Sequence, residues 1–190
     1  MKRFNKSYTS EAEFKHRLGI FIKNYTALPE LRKPRTHKVG LTIFSDLTKE
    51  EFLIKYGGQF SPKDAIPSTF KTPNPKDRLA SATITPVDHR NKLVGIKDQS
   101  SCGACWAFAT NAGLEYAFNT VNSVPSDSLA SLSEQELVDC TSPTTGCQGG
   151  AMELAIQYVM GSGVSSEASY PYIINNGQCD LTGRPRVVAS

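Results

Sequence analysis

The chain has 190 residues, of which 39% are hydrophobic, 21% charged and 9% aromatic, with a formal charge of +3; this is enough apolar side chain for a packed core and too little net charge for disorder. No run reaches the roughly 18 consecutive apolar residues of a membrane-spanning helix, so no membrane span is expected. The opening Met1-Lys2-Arg3-Phe4-Asn5-Lys6-Ser7 lacks the apolar stretch of a secretory signal.

Ser10-Glu11-Ala12-Glu13 has the Ser-x-x-Glu form of a capping box, and Phe14, Leu18, Phe21, Ile22 and Tyr25 follow at helical spacing, which predicts an amphipathic helix ending before Pro29. Residues 38–44 alternate like a short strand. A second box, Thr48-Lys49-Glu50-Glu51, starts a shorter helix through Phe52, Leu53 and Tyr56 that stops at Gly57-Gly58. Residues 60–86 hold Pro62, Pro67, Pro73, Pro75 and Pro86 among Ser, Thr, Lys and Asp. Such a stretch reads as an extended linker open to proteolytic nicking. Beyond it, Trp106, Ala109, Gly113, Tyr116 and Ala117 make the buried stripe of a helix that follows Cys105. Ser133-Glu134-Gln135-Glu136 is a third box ahead of Leu137 and Val138, and residues 151–160 form a helix closed by Gly161 and Gly163.

Charge divides the chain where the linker ends. Residues 1–80 hold 16 basic and 8 acidic side chains, whereas residues 81–190 hold 5 and 10. Complementary halves of one chain are suited to docking on each other. The basic residues are scattered through amphipathic segments rather than gathered in a tract, so nucleic acid is not an expected partner.

All five cysteines, Cys102, Cys105, Cys140, Cys147 and Cys179, lie in the acidic half. An odd number allows two disulfides and leaves one thiol, and arithmetic does not choose among the pairings. Cys102-Gly103-Ala104-Cys105 is formally a Cys-x-x-Cys motif, but no second such pair or closely spaced His pair completes a metal site. Neither a metal nor any other cofactor is expected.

The run Gln99-Ser100-Ser101-Cys102-Gly103-Ala104-Cys105-Trp106-Ala107-Phe108-Ala109 resembles the nucleophile segment of the papain-like, cathepsin-L-like cysteine proteases. The resemblance extends along the chain. Gly146-Cys147-Gln148-Gly149-Gly150 is similar to the family's glycine-rich substrate-binding strand, Tyr170-Pro171-Tyr172 to a later landmark, and Ser133-Glu134-Gln135-Glu136-Leu137-Val138-Asp139-Cys140 to its Ser-Glu-Gln-Glu-Leu helix. Glu13, Arg17, Phe21 and Asn24 match the first positions of the prohelix motif of the inhibitory propeptide, and Gly40, Phe44 and Asp46 match its second motif. The chain departs from the family at Leu28 and Arg32, where the prohelix has Ile and Asn, at Thr42 for Asn, at Ser100 for Gly, and at His89 where Trp commonly follows Asp.

The resemblance implies an α+β, papain-like fold, of which the chain covers the mainly helical left domain behind a helical propeptide. It divides the chain into a propeptide inhibitor domain over 1–60, a Pro-rich linker with the activation cleavage region over 61–80, and the N-terminal half of the peptidase domain over 81–190. Cys105 is then the nucleophile, at a helix N-terminus that favours a thiolate. The resemblance pairs the other four as Cys102–Cys147 and Cys140–Cys179. The Gln99 side-chain amide and the Cys105 N–H become the donors to the tetrahedral oxyanion. Gly149 and Gly150 offer a backbone edge to an extended peptide, and Met152 lines the pocket for the substrate residue two before the cleaved bond, favouring bulky apolar side chains. Peptide or protein substrates and the chain's own propeptide are the implied partners, and the complete protein is expected to be a monomer.

In this family the general base His and its Asn follow the cysteine by about 130 to 150 residues, whereas 85 residues follow Cys105 here and His16, His37 and His89 all precede it. His89 stands near the expected mature N-terminus, a poor place for a substitute base. The sequence therefore reads as an interior piece of a self-inhibited proenzyme, inactive alone, destined for the lysosome, a vacuole or the extracellular space. Asn5-Lys6-Ser7 and Asn24-Tyr25-Thr26 have the form of glycosylation acceptors. The alternative is a truncated, non-catalytic inhibitor of the propeptide type, or a pseudoenzyme, acting on related proteases in trans.

Overall fold

In the computed structural model of the chain, which describes residues 4–33, 36–57 and 87–188, two compact units are distinguished, Met1–Ile54 and Lys55–Ser190. The expected linker over 61–80 lies outside the described residues.

In the first unit, helix α1 (Glu11–Leu31) opens at Ser10, whose hydroxyl accepts the Glu13 N–H at 3.1 Å. Glu13 does not close the expected box on Ser10. Its carboxylate turns to the N–H and hydroxyl of Thr9, both at 2.7 Å. The helix continues past the expected stop and carries Pro29 in its last turn. Leu28 is buried there and its carbonyl accepts the Arg32 N–H at 2.9 Å, so the turn closes although Pro29 supplies no N–H.

The packed face of α1 is also not the apolar stripe the spacing suggests, since Phe14, Ile22 and Tyr25 are exposed. The face is set by a loop whose Ser45, Asp46 and Leu47 carbonyls find no backbone donor among the described residues and take side-chain donors from α1. Asn24 Nδ2 donates to the carbonyls of Ser45 and Leu47, both at 3.0 Å. Arg17 donates to the Asp46 carbonyl at 3.3 Å and pairs with Glu51 at 2.8 Å. A glycan on Asn24 would remove one of those donated hydrogens. Asp46 is buried, with the Tyr8 hydroxyl on Oδ2 at 2.9 Å and Lys6 Nζ 3.0 Å from Oδ1. Phe21 stacks on Tyr25, and Phe44 meets Phe52 edge to face. A side chain at Gly40 would meet open space.

Residues 38–44 form no strand. Among the described residues no strand lies beside them to pair with, and the chain turns instead, the Thr42 N–H donating to Ser45 Oγ and Thr42 Oγ1 accepting from Phe44. Helix α2 (Lys49–Phe52) follows, started by a complete Thr48/Glu51 capping box, and passes into a π-helical turn, Leu53–Gly57.

The second unit holds most of the buried apolar side chains. Helices α3 (Cys105–Val121), α4 (Glu134–Cys140) and α5 (Met152–Ser162) are joined by a two-stranded antiparallel pair, β1 (Val164–Ser165) and β2 (Arg186–Val188), with Val164 opposite Val188 and Ser165 opposite Arg186. This is an α+β arrangement dominated by helix. Its core gathers Trp106, Ala107, Leu132, Leu137, Val138, Ala155, Val159 and Val164 together with Cys102. Along α5, Ala155 and Val159 face inward, one turn apart as a helix face requires. The α5 helix runs past Gly161 and ends at Gly163, which takes φ 70°, a value only glycine adopts freely.

Helix α3 buries a different face from the one expected. Ala109, Gly113 and Ala117 are exposed, whereas Trp106, Ala107, Thr110, Asn111, Glu115 and Asn119 are buried. The reason is polar. The Asn119 side chain accepts the Ala130 N–H at 3.0 Å and the Glu115 carboxylate accepts the Leu132 N–H at 2.7 Å, so the helix docks through groups that satisfy the incoming loop. The third capping box is half made, Ser133 Oγ accepting the Glu136 N–H at 2.9 Å. The buried Glu136 carboxylate goes elsewhere, to Tyr158, to the Ser165 N–H and to Arg186. Among the described residues no helix is long and apolar enough to cross a membrane.

Candidate active site

Two disulfides frame the start of α3. Cys102 is bonded to Cys147 and Cys140 to Cys179, with Cα separations of 4.6 and 4.8 Å, and Cys105 is a free, exposed thiol. Cys105 is the first residue of α3, and its N-cap Ala104 has no side chain able to cap. The Ala104 carbonyl takes the amides of Ala107 and Phe108. The Cys105 N–H has no acceptor among the described residues, so the helix presents an unspent donor and the positive end of its dipole beside the sulfur.

Trp106 ties this helix start to the glycine-rich loop. Its indole N–H donates to the Gly146 carbonyl at 3.1 Å, and the Gly103 N–H donates to the Cys147 carbonyl at 2.8 Å. Gly150 lies flat on the indole, where an added Cβ would fall 2.5 Å from Trp106 Cε2.

The loop corrects one expectation. Gly149 does not offer a free backbone edge, because its N–H donates to Gly146 and its carbonyl accepts from the Thr145 N–H and hydroxyl. The 3-10 turn Gly146–Gln148 that precedes it folds these groups back on themselves. Gly150 differs, since no hydrogen bond reaches its amide or carbonyl among the described residues. Met152 opens α5 and is exposed.

Gln99 donates from Nε2 to the Cys102 carbonyl at 2.8 Å and to the Tyr56 carbonyl at 3.0 Å. The next carbonyl along, that of Gly57, lies 3.8 Å from Cys105 Sγ. Gln99 and Cys105 therefore close on consecutive carbonyls of one segment, residues 55–57. Only the helix stop at Gly57 marked that segment in the sequence. His89 is not part of this site: its Nδ1 pairs with the Tyr116 hydroxyl at 2.9 Å, eleven residues along α3 from Cys105, a rise of about 16 Å.

Several supporting residues escaped the sequence. The Tyr172 hydroxyl donates to the Gln99 carbonyl at 3.0 Å. Asn176 accepts the Cys147 N–H at 2.7 Å and donates to Gln148 at 3.1 Å, bracing the glycine loop. Two residues before Gln99, Lys97 Nζ reaches Glu115 and Glu134, both at 2.8 Å. Burial pushes Glu134 up to about 7, against the pull of Lys97. Burial also pushes Tyr172 up to about 12, helped by the charges of Glu134, Asp98 and Glu167. Among the described residues no group of three or more His, Cys, Asp or Glu could hold a metal ion.

Residues 84–190 match the family described as papain family cysteine protease, and residues 1–52 match the cathepsin propeptide inhibitor domain. The chain is 42% identical over 184 residues to a cysteine proteinase of Brassica napus, covering 90% of this chain and 55% of that protein. It is 36% identical over 192 residues to the viral cathepsin of Antheraea pernyi nuclear polyhedrosis virus, covering 99% and 57%. Among solved structures, a recombinant stem bromelain precursor superposes with a TM-score of 0.80 at 29% identity, covering all of this chain and 60% of that one. The digestive procathepsin L2 of Tenebrio molitor larval midgut gives 0.78 at 28%, covering 95% and 60%. The chain thus spans about half the length of the curated relatives it matches.

Proposed function

The chain belongs to the papain family of cysteine proteases, and from that premise we propose that it is part of a self-inhibited precursor of a cysteine endopeptidase in which Cys105 attacks the peptide carbonyl. The observation that carries the reading is the pair of contacts from Gln99 Nε2 to the Tyr56 carbonyl and from Cys105 Sγ to the Gly57 carbonyl. A peptide backbone already lies against the thiol and against a preorganised amide donor. In a substrate, the same donors would face the oxygen that gains charge as sulfur adds to the carbonyl carbon. The Gln99 amide and the unspent Cys105 N–H are the two donors of this reading.

Gly150, with its backbone groups open and its Cα pressed on Trp106, is the point where an extended substrate pairs. Met152 supplies an apolar wall for the residue two before the cleaved bond. Residues 1–60 act as the inhibitory propeptide, cleavage falls within 61–80, and 81–190 form the helical half of the peptidase domain. The general base comes from outside the described residues. The two disulfides fit a lysosome, vacuole or extracellular site of action.

The test is made on the complete precursor after removal of the propeptide. Hydrolysis of a peptide with a bulky apolar residue two before the cleaved bond should be lost in Cys105→Ala. In Gln99→Ala, kcat should fall by roughly 100-fold or more with little change in KM. Undiminished hydrolysis in Cys105→Ala overturns the proposal.

A further inference from the structure

If Gln99 is an oxyanion donor, something must hold it, because the turn that carries it is strained. Ser100 sits at φ 51°, the left-handed region that costs a residue with a Cβ about 1 kcal/mol or more. Within the turn, the Ser100 N–H is held by Asp98 Oδ1 at 2.7 Å, while the Cys102 N–H reaches the Gln99 carbonyl only at 3.4 Å. The stronger bond to that carbonyl comes from Tyr172, 73 residues away in sequence, at 3.0 Å.

On the reading above, we infer that Tyr172 is the positioning residue of the oxyanion donor: its hydroxyl fixes the Gln99 main chain so that the side-chain amide keeps its aim. Tyr172 is itself held on every side. Its ring meets Phe108 of α3 edge to face at 5.0 Å. Its N–H donates to Glu167 at 2.9 Å, and the flanking residues are tied to α4 and its cap, the Tyr170 carbonyl by Ser133 Oγ at 2.6 Å and the Ile173 N–H by Gln135 at 2.9 Å. The hydroxyl has no other partner among the described residues. With its proton bound up to about pH 12, the phenol remains a donor throughout the range in which a protease works. The aim of Gln99 is therefore set from the Tyr170-Pro171-Tyr172 segment as well as from its own loop, as precise sites require a supporting shell.

Tyr172→Phe removes one oxygen and keeps the ring packing. In the 190-residue chain labelled with nitrogen-15, the variant should make the Gln99 side-chain amide exchange with solvent several-fold faster while the amides of Asn119 and Gln135 stay as they were. An unchanged Gln99 amide, or an equal loosening of all three, overturns the inference. In the complete processed enzyme, kcat should fall roughly threefold to tenfold, the worth of one hydrogen bond, with KM within twofold. Placed on a Gln99→Ala background the same change should cost nothing more, whereas an undiminished further loss there overturns the inference. If the wild type hydrolyses no peptide, the functional proposal fails alone, because the amide measurement needs no turnover.

Discussion

Lys97 Nζ spans both oxygens of Glu134, at 2.8 and 3.0 Å, while also holding Glu115 at 2.8 Å. One ammonium thus serves two buried carboxylates, and burial pushes Glu134 up to about 7. A carboxyl whose folded value lies above its unfolded one binds a proton in the folded chain first, so folding gains as pH falls from about 7 toward 4.5. Over that window the gain is at most about 3 kcal/mol. Thermal unfolding of the second unit should therefore occur at higher temperature at pH 5 than at pH 7, and Glu134→Gln should flatten that difference. A wild-type transition that moves the other way would exclude Glu134 as its source.

The first unit should respond to acid in the opposite sense. Burial pushes Asp46 up, but the Lys6 ammonium and the Tyr8 hydroxyl outweigh it and hold the carboxyl below the usual range. Its contribution is present above the unfolded value and fades as pH falls through the lower folded one. Loss of α1 helicity by circular dichroism should begin below about pH 4, and Asp46→Asn should weaken the unit already at neutral pH. The two units thus carry opposed acid responses.

Asn111 is fully buried on α3, and neither its amide nor its carbonyl finds a partner among the described residues. An unpaired buried polar group costs about 1–3 kcal/mol. Asn111→Leu, which keeps the branched side-chain skeleton and puts methyl groups where the two polar atoms stood, should raise the denaturation midpoint with no change in the slope of the transition. A lower midpoint would mean that the amide is satisfied in solution.

Gly150 tests the contact between the glycine loop and α3. The chain's single tryptophan, Trp106, is the residue that a methyl at 150 would strike. Gly150→Ala should shift the tryptophan emission to the red and lower the melting temperature, since a buried indole must move. An unshifted spectrum would show that the loop can step aside.

Ser100→Gly addresses the strained turn. Glycine takes φ near 51° without penalty, so the variant should be more stable by about 1 kcal/mol, less the entropy glycine adds to the unfolded chain. Equal or lower stability in urea unfolding would locate the strain elsewhere.

What was legible in the sequence was local. Ser10, Thr48 and Ser133 announced the starts of α1, α2 and α4, because a cap acts within three residues. The Cys-Gly-Ala-Cys-Trp run directed attention to the start of α3. What could not be read was the choice made between distant partners. Glu136 has the spacing of a capping residue but turns to Arg186, fifty residues away. The strand-like alternation of residues 38–44 had no strand to pair with among the described residues, and the buried face of α3 followed the needs of the loop at residues 130–132 rather than its small residues. Gly149 and Gly150 look alike in sequence and differ in the structure because Gly146 and Thr145 claim the backbone groups of the first. Period and propensity describe one element at a time, and these outcomes depend on two.

The two disulfides interlace, since Cys140 lies inside the loop closed by Cys102 and Cys147 while Cys179 lies outside it. A single cut anywhere between residues 102 and 179 therefore leaves two pieces still joined by sulfur. A cut ahead of Cys102 leaves everything before it without a covalent tie to the rest, because no cysteine precedes that residue. The chain is divided by covalent topology into a part that one nick can shed and a part that one nick cannot scatter.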